Sequence, residues 1–370
     1  MSVQETLRGG GNPGVERETV LDIKELSKFY GETPALREVS LQVRQGELLT
    51  LLGPSGSGKT TLLKVIAGFE APTAGKVLLR GRDISRLSPA RRGVGMVFQH
   101  YALFPHMTVA QNVGYGLKLR RVGRAARDRR VGEMLELLRL DGLEGRYPRQ
   151  LSGGQQQRVA LGRALAYDPE VILMDEPLGA LDRALRIEME EQIRGIHREL
   201  GATIVYVTHD QQEALALSDR IAIMRAGRLA SVGEPAQLYA RPADSFVASF
   251  FANANLLAVS EHELLDDGSA RVRCGGGELR CATSAKTGDR VVLAVRRRSL
   301  GRTSSPGSLR IAGPVAEMLL FGDEQEISIQ SPALGRVVAT IDSRACVGIA
   351  LGMELELFAA AGEAVLVPLV

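Results

Sequence analysis

The chain has 370 residues, 45% of them hydrophobic, and its formal net charge at pH 7 is +3. This length supports more than one domain, and so small a net charge gives no global field that would attract nucleic acid or an anionic membrane. The longest apolar runs, ELLTLLG and TIVYV, are far shorter than the roughly 18–20 residues of a membrane span. The three cysteines, Cys274, Cys281 and Cys346, are few and odd in number, which indicates a reducing compartment.

The first predicted region is a flexible tail over residues 1–17, because this stretch is polar and glycine-rich and shows no signal-peptide pattern. Residues 18–240 then alternate short apolar runs with helix-like segments. The runs LLTLL, GVGMVF, VILMDE and TIVYVTHD are typical of strands buried on both faces of a parallel sheet. The alternation predicts an α/β domain.

A basic and then leucine-rich stretch over Arg120–Leu140 interrupts the alternation. It predicts an inserted helical subdomain over about residues 100–160. Its arginine cluster indicates a solvated face or a helix end, with a nucleic-acid site as the less favoured alternative. The cluster consists of Arg120, Arg121, Arg124, Arg127, Arg129 and Arg130.

From residue 241 to residue 370 the pattern changes to short alternating strands separated by glycine turns, such as ARVRCGGGELRC, RVVATI and MELELF. Even strand spacing with turn signals predicts a smaller all-β domain of one or two antiparallel barrels. Cys274 and Cys281 flank the turn GGGEL and could face each other across a hairpin. The favoured interpretation is that both are small core residues.

Residues 53–60 read GPSGSGKT, between the strand LLTLL and the helix KTTLLKVIAG, which is the full phosphate-loop pattern in its confirming context. Glycines let backbone N–H groups converge on phosphate oxygens, and the helix N-terminus adds a positive end. Lys59 would supply charge to the outer phosphates, and the Thr60 hydroxyl could ligate Mg²⁺. The residues predicted to bind the nucleotide here are Gly53, Pro54, Ser55, Gly56, Ser57, Gly58, Lys59, Thr60 and Thr61.

Polar residues follow three of the other predicted strands, and ligands of such sheets bind beyond the carboxyl ends of the strands. Asp175 would hold the metal, directly or through water, and Glu176 would polarise the attacking water. His209 lies where a γ-phosphate could be reached, although a hydrogen-bonded structural role is the alternative. Gln99 could contact Mg²⁺ or water, or merely cap a turn.

A second glycine-rich helix entrance, LSGGQ, ends at Gln155. Ser152 with Gln155 three residues later predicts a capping box. A cap requires neither Gly153 nor Gly154, and paired glycines at a helix start allow close approach to an anion. Since Lys59 already serves one nucleotide, we expect this second anion site to serve a nucleotide held by another copy of the chain.

Taken together, GPSGSGKT, Gln99, LSGGQ, VILMDE, LGALD and the TH that ends in His209 resemble the ATP-binding cassette (ABC) ATPases over about Val20–Gly233, with six motifs in family order. The resemblance implies a P-loop cassette over residues 18–240 that binds ATP and Mg²⁺, with Thr60, Gln99 and Asp175 as metal ligands. It also implies that Lys59, Glu176 and His209 are catalytic.

The same resemblance assigns further roles around the nucleotide. Tyr30 matches the aromatic residue that stacks on adenine, and Gln99 matches the loop that couples the site to transmembrane partners. Residues 152–155 match the signature that caps ATP across a head-to-tail homodimer, and Asp182 matches the loop that crosses the dimer interface.

An ATPase followed by small barrels resembles the importer subunits for sugars, polyamines, sulfate and ferric iron, in which an OB-like (TOBE) domain regulates. FVASFFANANLL looks closest to the polyamine type. The implied partners are a second copy, two integral-membrane permease subunits and, indirectly, an extracytoplasmic solute-binding protein, without nucleic acid. The implied location is the cytoplasmic face of the inner membrane. The alternative is a soluble ABC-type ATPase that acts on nucleic acid or ribosomes.

Overall fold

The structure is a computed structural model that describes residues 18–99, 101–179 and 181–370. The predicted flexible tail over residues 1–17 lies outside the described residues. The described chain divides into two compact units. The first contains the described residues up to Arg220 together with Met224–Leu229, and the second contains Ile221–Ile223 and Ala230–Val370. The sequence predicts a domain boundary between residues 240 and 241, where one independently folding part would end and the next would begin. This boundary stays a prediction.

The first unit combines strands and helices in alternation. In chain order its elements are β1 (Thr19–Tyr30), β2 (Thr33–Arg44), β3 (Leu48–Leu52), α1 (Lys59–Ala67), β4 (Ala74–Leu79), β5 (Arg82–Asp83), β6 (Val94–Val97), α2 (Val109–Val113), α3 (Tyr115–Leu119), α4 (Arg124–Leu137), α5 (Gly153–Leu165), β7 (Val171–Asp175), α6 (Arg183–Leu200), β8 (Ile204–Thr208) and α7 (Gln211–Leu217). Two further strands, β9 (Arg220–Arg225) and β10 (Arg228–Gly233), belong partly to each unit.

A parallel arrangement of four strands, in the order β3, β8, β7, β6, forms the centre of this unit. Every residue of β3 and β8 is buried, and β7 is buried up to its last residue. The near-continuous apolar runs of the sequence therefore form strands covered on both faces, as expected. Because the strands are parallel, the residues that follow β6, β7 and β8 meet at one edge of the sheet.

An antiparallel sheet in the order β2, β1, β4, β5 lies in the same unit. Leu21 of β1 faces Val43 of β2 on one side and Leu79 of β4 on the other. The strand ends at Tyr30, close to the turn that leads into β2.

The inserted helical layer is formed by α2, α3 and α4, which pack with α5 into the same apolar core as the parallel strands. Helix α4 begins at Arg124, with Gly123 at its N-cap. A Cβ atom at Gly162 of α5 would lie 2.7 Å from Leu138 Cδ1. The missing side chain lets the two segments approach closely, and this explains the glycine in the last turn of α5.

The second unit is dominated by strands, which confirms the expected smaller all-β domain. In chain order its elements are α8 (Pro235–Ala240), α9 (Ser245–Phe250), β11 (Ala254–Ala258), β12 (Glu261–Leu264), β13 (Ser269–Cys274), β14 (Gly277–Thr283), β15 (Val291–Arg296), β16 (Leu300–Gly301), β17 (Leu309–Phe321), β18 (Glu324–Ser331), β19 (Gly335–Asp342), β20 (Glu354–Ala359) and β21 (Ala364–Pro368). One sheet has the order β11, β15, β21, β14, β13, β12, and the other has the order β16, β20, β17, β18, β19. Both sheets contribute to one apolar core, consistent with an OB-like domain.

The three cysteines are free and buried in this unit. Cys274 pairs with Gly277 across the β13–β14 hairpin, whereas Cys281 pairs with Ala270, so the two cysteines do not face each other. Burial raises the pKa of both thiols to about 11. The interpretation as small core residues therefore fits the structure, and the cross-hairpin alternative does not.

In the described parts of the chain, no helix has the length and apolar character needed to cross a bilayer.

Candidate active site

The loop over residues 53–58 connects the end of β3 to the start of α1, and its glycines are required by its shape. Gly56 and Gly58 have φ angles of 76° and 103°, in the left-handed region that side chains disfavour. A Cβ atom at Gly58 would lie 2.7 Å from the carbonyl oxygen of Ala35, and one at Gly53 would lie 2.4 Å from that of Met224. The backbone can therefore follow this tight path only without side chains at these positions.

Lys59 is the first residue of α1, and its ammonium group is held inside the loop. Its Nζ donates hydrogen bonds to the carbonyl oxygens of Gly53 at 2.7 Å and Pro54 at 3.0 Å. Burial lowers the pKa of Lys59, while the nearby carboxylates of Glu176 and Asp175 raise it. The buried Ser57 hydroxyl in the same loop has no hydrogen-bond partner among the described residues. A phosphate oxygen would satisfy this orphaned donor.

Thr60, the next residue of α1, lies beside the end of β7. Its hydroxyl is 3.4 Å from Oδ1 of Asp175. Burial raises the pKa of Asp175, and the adjacent Glu176 raises it further, while the Thr60 hydroxyl opposes both effects. A hydroxyl and a buried carboxylate form the kind of oxygen-ligand set that Mg²⁺ prefers. A divalent cation would also relieve the cost of the buried negative charge.

Three strand ends converge on Glu176. It follows β7, and its carboxylate accepts a hydrogen bond from Nε2 of Gln99, which follows β6, at 3.3 Å. Nδ1 of His209, which follows β8, lies 3.2 Å from the other oxygen. The sheet order places β7 between β6 and β8, so this convergence results directly from strand pairing. Gln99 thus contacts Glu176, a partner that the sequence analysis did not name.

Next to His209 lies a hydrogen-bond network that the sequence motifs did not predict. Asp210 caps α7 by accepting from the backbone N–H groups of Gln212 and Glu213. The buried Glu213 accepts hydrogen bonds from Tyr206 at 2.9 Å and Thr208 at 2.8 Å, both in β8. Burial raises the pKa of Glu213. The aspartate before the helix and the glutamate three residues later form a cap-like pattern that could have revealed this support.

Arg186 of α6 joins that network to the segment that precedes Asp182. Its guanidinium lies 3.3 Å from Oδ2 of Asp210 and donates to the carbonyl oxygen of Leu181 at 3.3 Å. Asp182 itself caps α6, because its Oδ1 accepts from the backbone N–H of Leu185 at 2.9 Å. Arg186 therefore links the segment around Asp182 to the loop of His209 within one chain.

The capping box at the second glycine-rich helix is present as the pattern predicts. Ser152 Oγ accepts from the N–H of Gln155 at 3.3 Å, and the Gln155 side chain accepts from the N–H of Ser152 at 3.0 Å. A Cβ atom at Gly154 would lie 2.9 Å from Cδ1 of Leu185, so close helix packing also favours this glycine. Within the described residues, no hydrogen bond or ion pair links residues 152–155 to residues 53–60 of the same chain.

The remaining predicted contacts lie at the surface of the first unit. Tyr30 is 48% exposed at the end of β1, and the ammonium group of Lys28 lies 4.9 Å from the centre of its ring. Pro54 and Ser55 are exposed at the tip of the phosphate loop, and Thr61 is half-buried in the first turn of α1. The ring of Tyr30 and the tip of the loop are therefore accessible to solvent. The individual roles of these residues stay predictions.

Comparison with known proteins agrees with this geometry. A family model described as ABC transporter matches residues 36–179. The spermidine/putrescine import ATP-binding protein PotA of Rubrobacter xylanophilus is 45% identical over 329 residues, which cover 87% of this chain and 86% of that protein. PotA of Methylococcus capsulatus is 48% identical, over 77% of this chain and 74% of that protein.

A relative named for another solute is similarly close. The sulfate/thiosulfate import ATP-binding protein CysA 2 of Chromobacterium violaceum is 48% identical over 75% of this chain and 74% of that protein. Among solved structures, the ATP-binding cassette MJ0796, a dimer in a post-hydrolysis state bound to ADP and Pi, superposes with a TM-score of 0.52. It is 35% identical, and the match covers 58% of this chain and 98% of that one. The chain therefore belongs to the ABC transporter family, in the branch of import ATP-binding proteins, which are ATPases coupled to transport.

Proposed function

We propose that this chain works as a homodimer that hydrolyses two molecules of ATP with Mg²⁺ and drives polyamine import through two integral-membrane permease subunits. It would lie at the cytoplasmic face of the inner membrane, and an extracytoplasmic solute-binding protein would deliver the solute. The observation that carries the proposal is the convergence of Gln99 and His209 on Glu176, at 3.3 and 3.2 Å, beside the phosphate loop.

Phosphate binding is supported by the shape of the loop and by two of its side chains. Backbone N–H groups at the start of α1 would donate to a phosphate, and the helix N-terminus adds partial positive charge. Lys59 carries a full charge into the loop, where it now bonds to the carbonyl oxygens of Gly53 and Pro54. On binding ATP, Lys59 would turn toward the outer phosphates, and the Ser57 hydroxyl would donate a hydrogen bond to a phosphate oxygen.

Three residues would hold Mg²⁺: Thr60, Asp175 and Gln99. Thr60 and Asp175 lie within 3.4 Å of each other, and both offer oxygen ligands. Gln99 donates its amide N–H to Glu176, which leaves its carbonyl oxygen free to accept or to ligate. When bound, the ion would offset charge on the outer phosphates as the bond to the leaving phosphate breaks.

Glu176 would orient the attacking water and accept its proton. The carboxylate is held from both sides by Gln99 and His209, so its oxygens have a fixed direction. His209 is 61% exposed in its side chain, which leaves its ring accessible to a γ-phosphate. Arg186 and Asp210 would keep the histidine loop in register with the Asp182 segment during the cycle.

The dimer is supported by the position of the signature residues. Ser152 and Gly153 are exposed, and the capping box already fixes the helix start. Since these residues have no bond to the phosphate loop of their own chain within the described residues, they are available to a nucleotide on a second copy. Closure over two ATP molecules and opening after hydrolysis would pass a change in binding energy to the permease subunits.

The choice of solute rests on the relatives. The match to the PotA protein of Rubrobacter xylanophilus extends over 87% of this chain, well into the second unit, which we propose to be regulatory. The CysA 2 relative makes sulfate the competing solute. The PotA and CysA relatives described above are all import proteins, and none of them supports the alternative of a nucleic-acid or ribosome ATPase.

The test is uptake by proteoliposomes that contain this chain, its co-purified membrane subunits and the solute-binding protein, with ATP on the side of the ATPase. We expect uptake of labelled spermidine or putrescine, and none when the chain carries Glu176→Gln. Uptake of sulfate alone would contradict the solute. ATP hydrolysis without co-purifying membrane subunits, and with stimulation by RNA, would contradict the importer role.

A further inference from the structure

One short stretch, residues 118–130, concentrates the positive charge of the chain. It contains seven lysine and arginine residues and one acidic residue, Asp128, so its formal charge is +6 while that of the whole chain is +3. The rest of the chain therefore carries a net charge of −3. We call residues 118–130 the basic segment. It covers the end of α3, the following turn and the first half of α4.

Three cations of the basic segment, Lys118, Arg121 and Arg129, are exposed and make no side-chain hydrogen bond, ion pair or ring contact within the part of the chain that the structure describes. The other four are engaged with neighbours: Arg124 and Arg127 with Asp128, Arg130 with Glu133 and the carbonyl oxygen of Ala166, and Arg120 with the ring of Tyr167. The segment thus keeps part of its charge available to an external anion.

The basic segment also contains an exposed apolar side chain. Leu119 is 67% exposed, between Lys118 and Arg120, and Arg121 turns the chain with a φ of 59°. An exposed leucine with cations on both sides in the sequence suits the boundary of an anionic bilayer, where the apolar side chain enters the headgroup layer and the cations contact phosphates. The basic segment contains no aromatic residue, whereas single-stranded nucleic acid is commonly bound by stacking on aromatic rings.

The basic segment lies next to the region that would meet the permease. Tyr115, the first residue of α3, packs its ring 4.5 Å from that of Phe104, which lies five residues after Gln99. Helix α3 has five residues, so it spans only about 7.5 Å. If the Gln99 segment faces the membrane subunits of the proposed importer, as the family resemblance implies, the basic segment lies close to the surface of the surrounding bilayer.

We propose that the basic segment binds the anionic phosphate headgroups of the membrane surface, with Lys118, Arg121 and Arg129 as phosphate contacts and Leu119 inserted among the headgroups. This inference rests on the proposed importer function for its orientation. It adds a direct lipid contact to the attachment that the permease subunits provide.

The experiment measures co-sedimentation of the full chain with vesicles of phosphatidylcholine, with and without phosphatidylglycerol, in the absence of membrane subunits. We expect binding to the anionic vesicles that falls with added salt. Neutralising a cation should lower the partition coefficient about fivefold. The triple variant Lys118→Gln, Arg121→Gln, Arg129→Gln should therefore bind on the order of a hundredfold more weakly. Leu119→Ser should bind about tenfold more weakly.

The matched control is Arg271→Gln, Arg273→Gln, Arg310→Gln, which removes the same charge from ion-paired, exposed positions of the second unit. It should bind within about twofold of the original chain, because distant charges are screened. Equal weakening of both triple variants would overturn the proposal, as would equal binding to both kinds of vesicle or binding of labelled RNA duplex in place of vesicles. Basal ATP hydrolysis by each variant reports separately on the proposed function and on folding.

Discussion

Nδ1 of His209 lies 3.2 Å from Oε1 of Glu176, and the amide of Gln99 donates to Oε2 of the same carboxylate at 3.3 Å. Glu176 has a φ of 44°, a left-handed conformation that costs a residue with a side chain about 1–3 kcal/mol. Two side chains and a strained backbone therefore fix one carboxylate at the open edge of the sheet. This is the group that we expect to activate water.

Glu176→Gln tests that expectation. The amide keeps the shape and the contact to His209 but cannot accept a proton, so turnover should fall by about 10²–10⁴-fold while ATP still binds. The ATP-loaded dimer should then accumulate, and size-exclusion chromatography with ATP and Mg²⁺ would detect it. Glu199→Gln, at an exposed position of α6, is the control and should hydrolyse ATP normally. Normal turnover by Glu176→Gln would contradict the assignment.

Lys59→Ala removes the cation of the phosphate loop. Charge that develops on the outer phosphates would lose its nearest partner, so we expect hydrolysis to fall by about 10²–10³-fold. Lys64→Ala removes the same charge from an exposed position of the same helix, and it should retain nearly full activity. Steady-state hydrolysis of the two variants at one ATP concentration compares them directly. Similar rates for the two variants would show that Lys59 contributes no more to hydrolysis than Lys64 does.

Asp175→Asn separates stability from function. Burial and the neighbouring Glu176 raise the pKa of Asp175 in the fold, so the folded state binds its proton more tightly than the unfolded state does. Ionisation of Asp175 therefore lowers the free energy of unfolding as the pH rises from about 4 through the raised pKa of this group. The asparagine variant without nucleotide should melt higher than the original chain, by more at pH 7.5 than at pH 4, and should lose ATP hydrolysis. A difference in Tm that shrinks with rising pH would contradict this.

A mixed dimer tests whether LSGGQ serves the partner's nucleotide. Every chain carries Glu176→Gln to trap ATP, and one version adds Lys59→Ala while the other adds Gly153→Asp, at an exposed position where a Cβ atom would make only an ordinary contact, 3.6 Å from Leu181. The new carboxylate would repel phosphate and block close approach. If the signature acts across the interface, one site of the mixed dimer combines two intact parts and the other site combines both defects. We expect one trapped ATP per mixed dimer.

The count of labelled ATP per purified dimer after a chase decides the question. The dimer that carries only Glu176→Gln should retain two, and each doubly changed homodimer should retain none. Zero retention by the mixed dimer would place the signature at its own chain's site or reduce Gly153 and Gly154 to a helix cap.

Local sequence patterns predicted the parts that depend on local geometry. The phosphate loop requires glycine backbones followed by a lysine at a helix start, and the capping box requires Ser152 and Gln155 three residues apart. Each of these features is formed by a few consecutive residues, so the local sequence pattern contains nearly all the information needed to predict it. The alternation of buried strands and helices likewise predicted the α/β class, because burial on both faces leaves continuous apolar runs.

Other features could not be predicted, because they join residues that are far apart in the chain. Arg186 meets Asp210 only because α6 and α7 pack together, and no short pattern encodes that contact. The sequence pattern predicts an anion site at Gly154, yet the missing side chain of this glycine also makes room for Leu185 of α6. Cys274 and Cys281 flank one turn, but the register of β13 on β14 separates them.

The sequence by itself therefore predicted which residues would carry the chemistry of this protein: the phosphate-loop lysine, the acids at the end of a buried strand, and the glycines at two helix starts. Only the tertiary structure decided how they meet. The order β3, β8, β7, β6 brings Gln99, Glu176 and His209 to one point and sets Thr60 beside Asp175. The physical reason is that the strand order is selected by hydrogen bonds between strands and by burial of the sheet, which involve contacts across the whole unit. Each motif, in contrast, is specified by the backbone conformation of its own few residues.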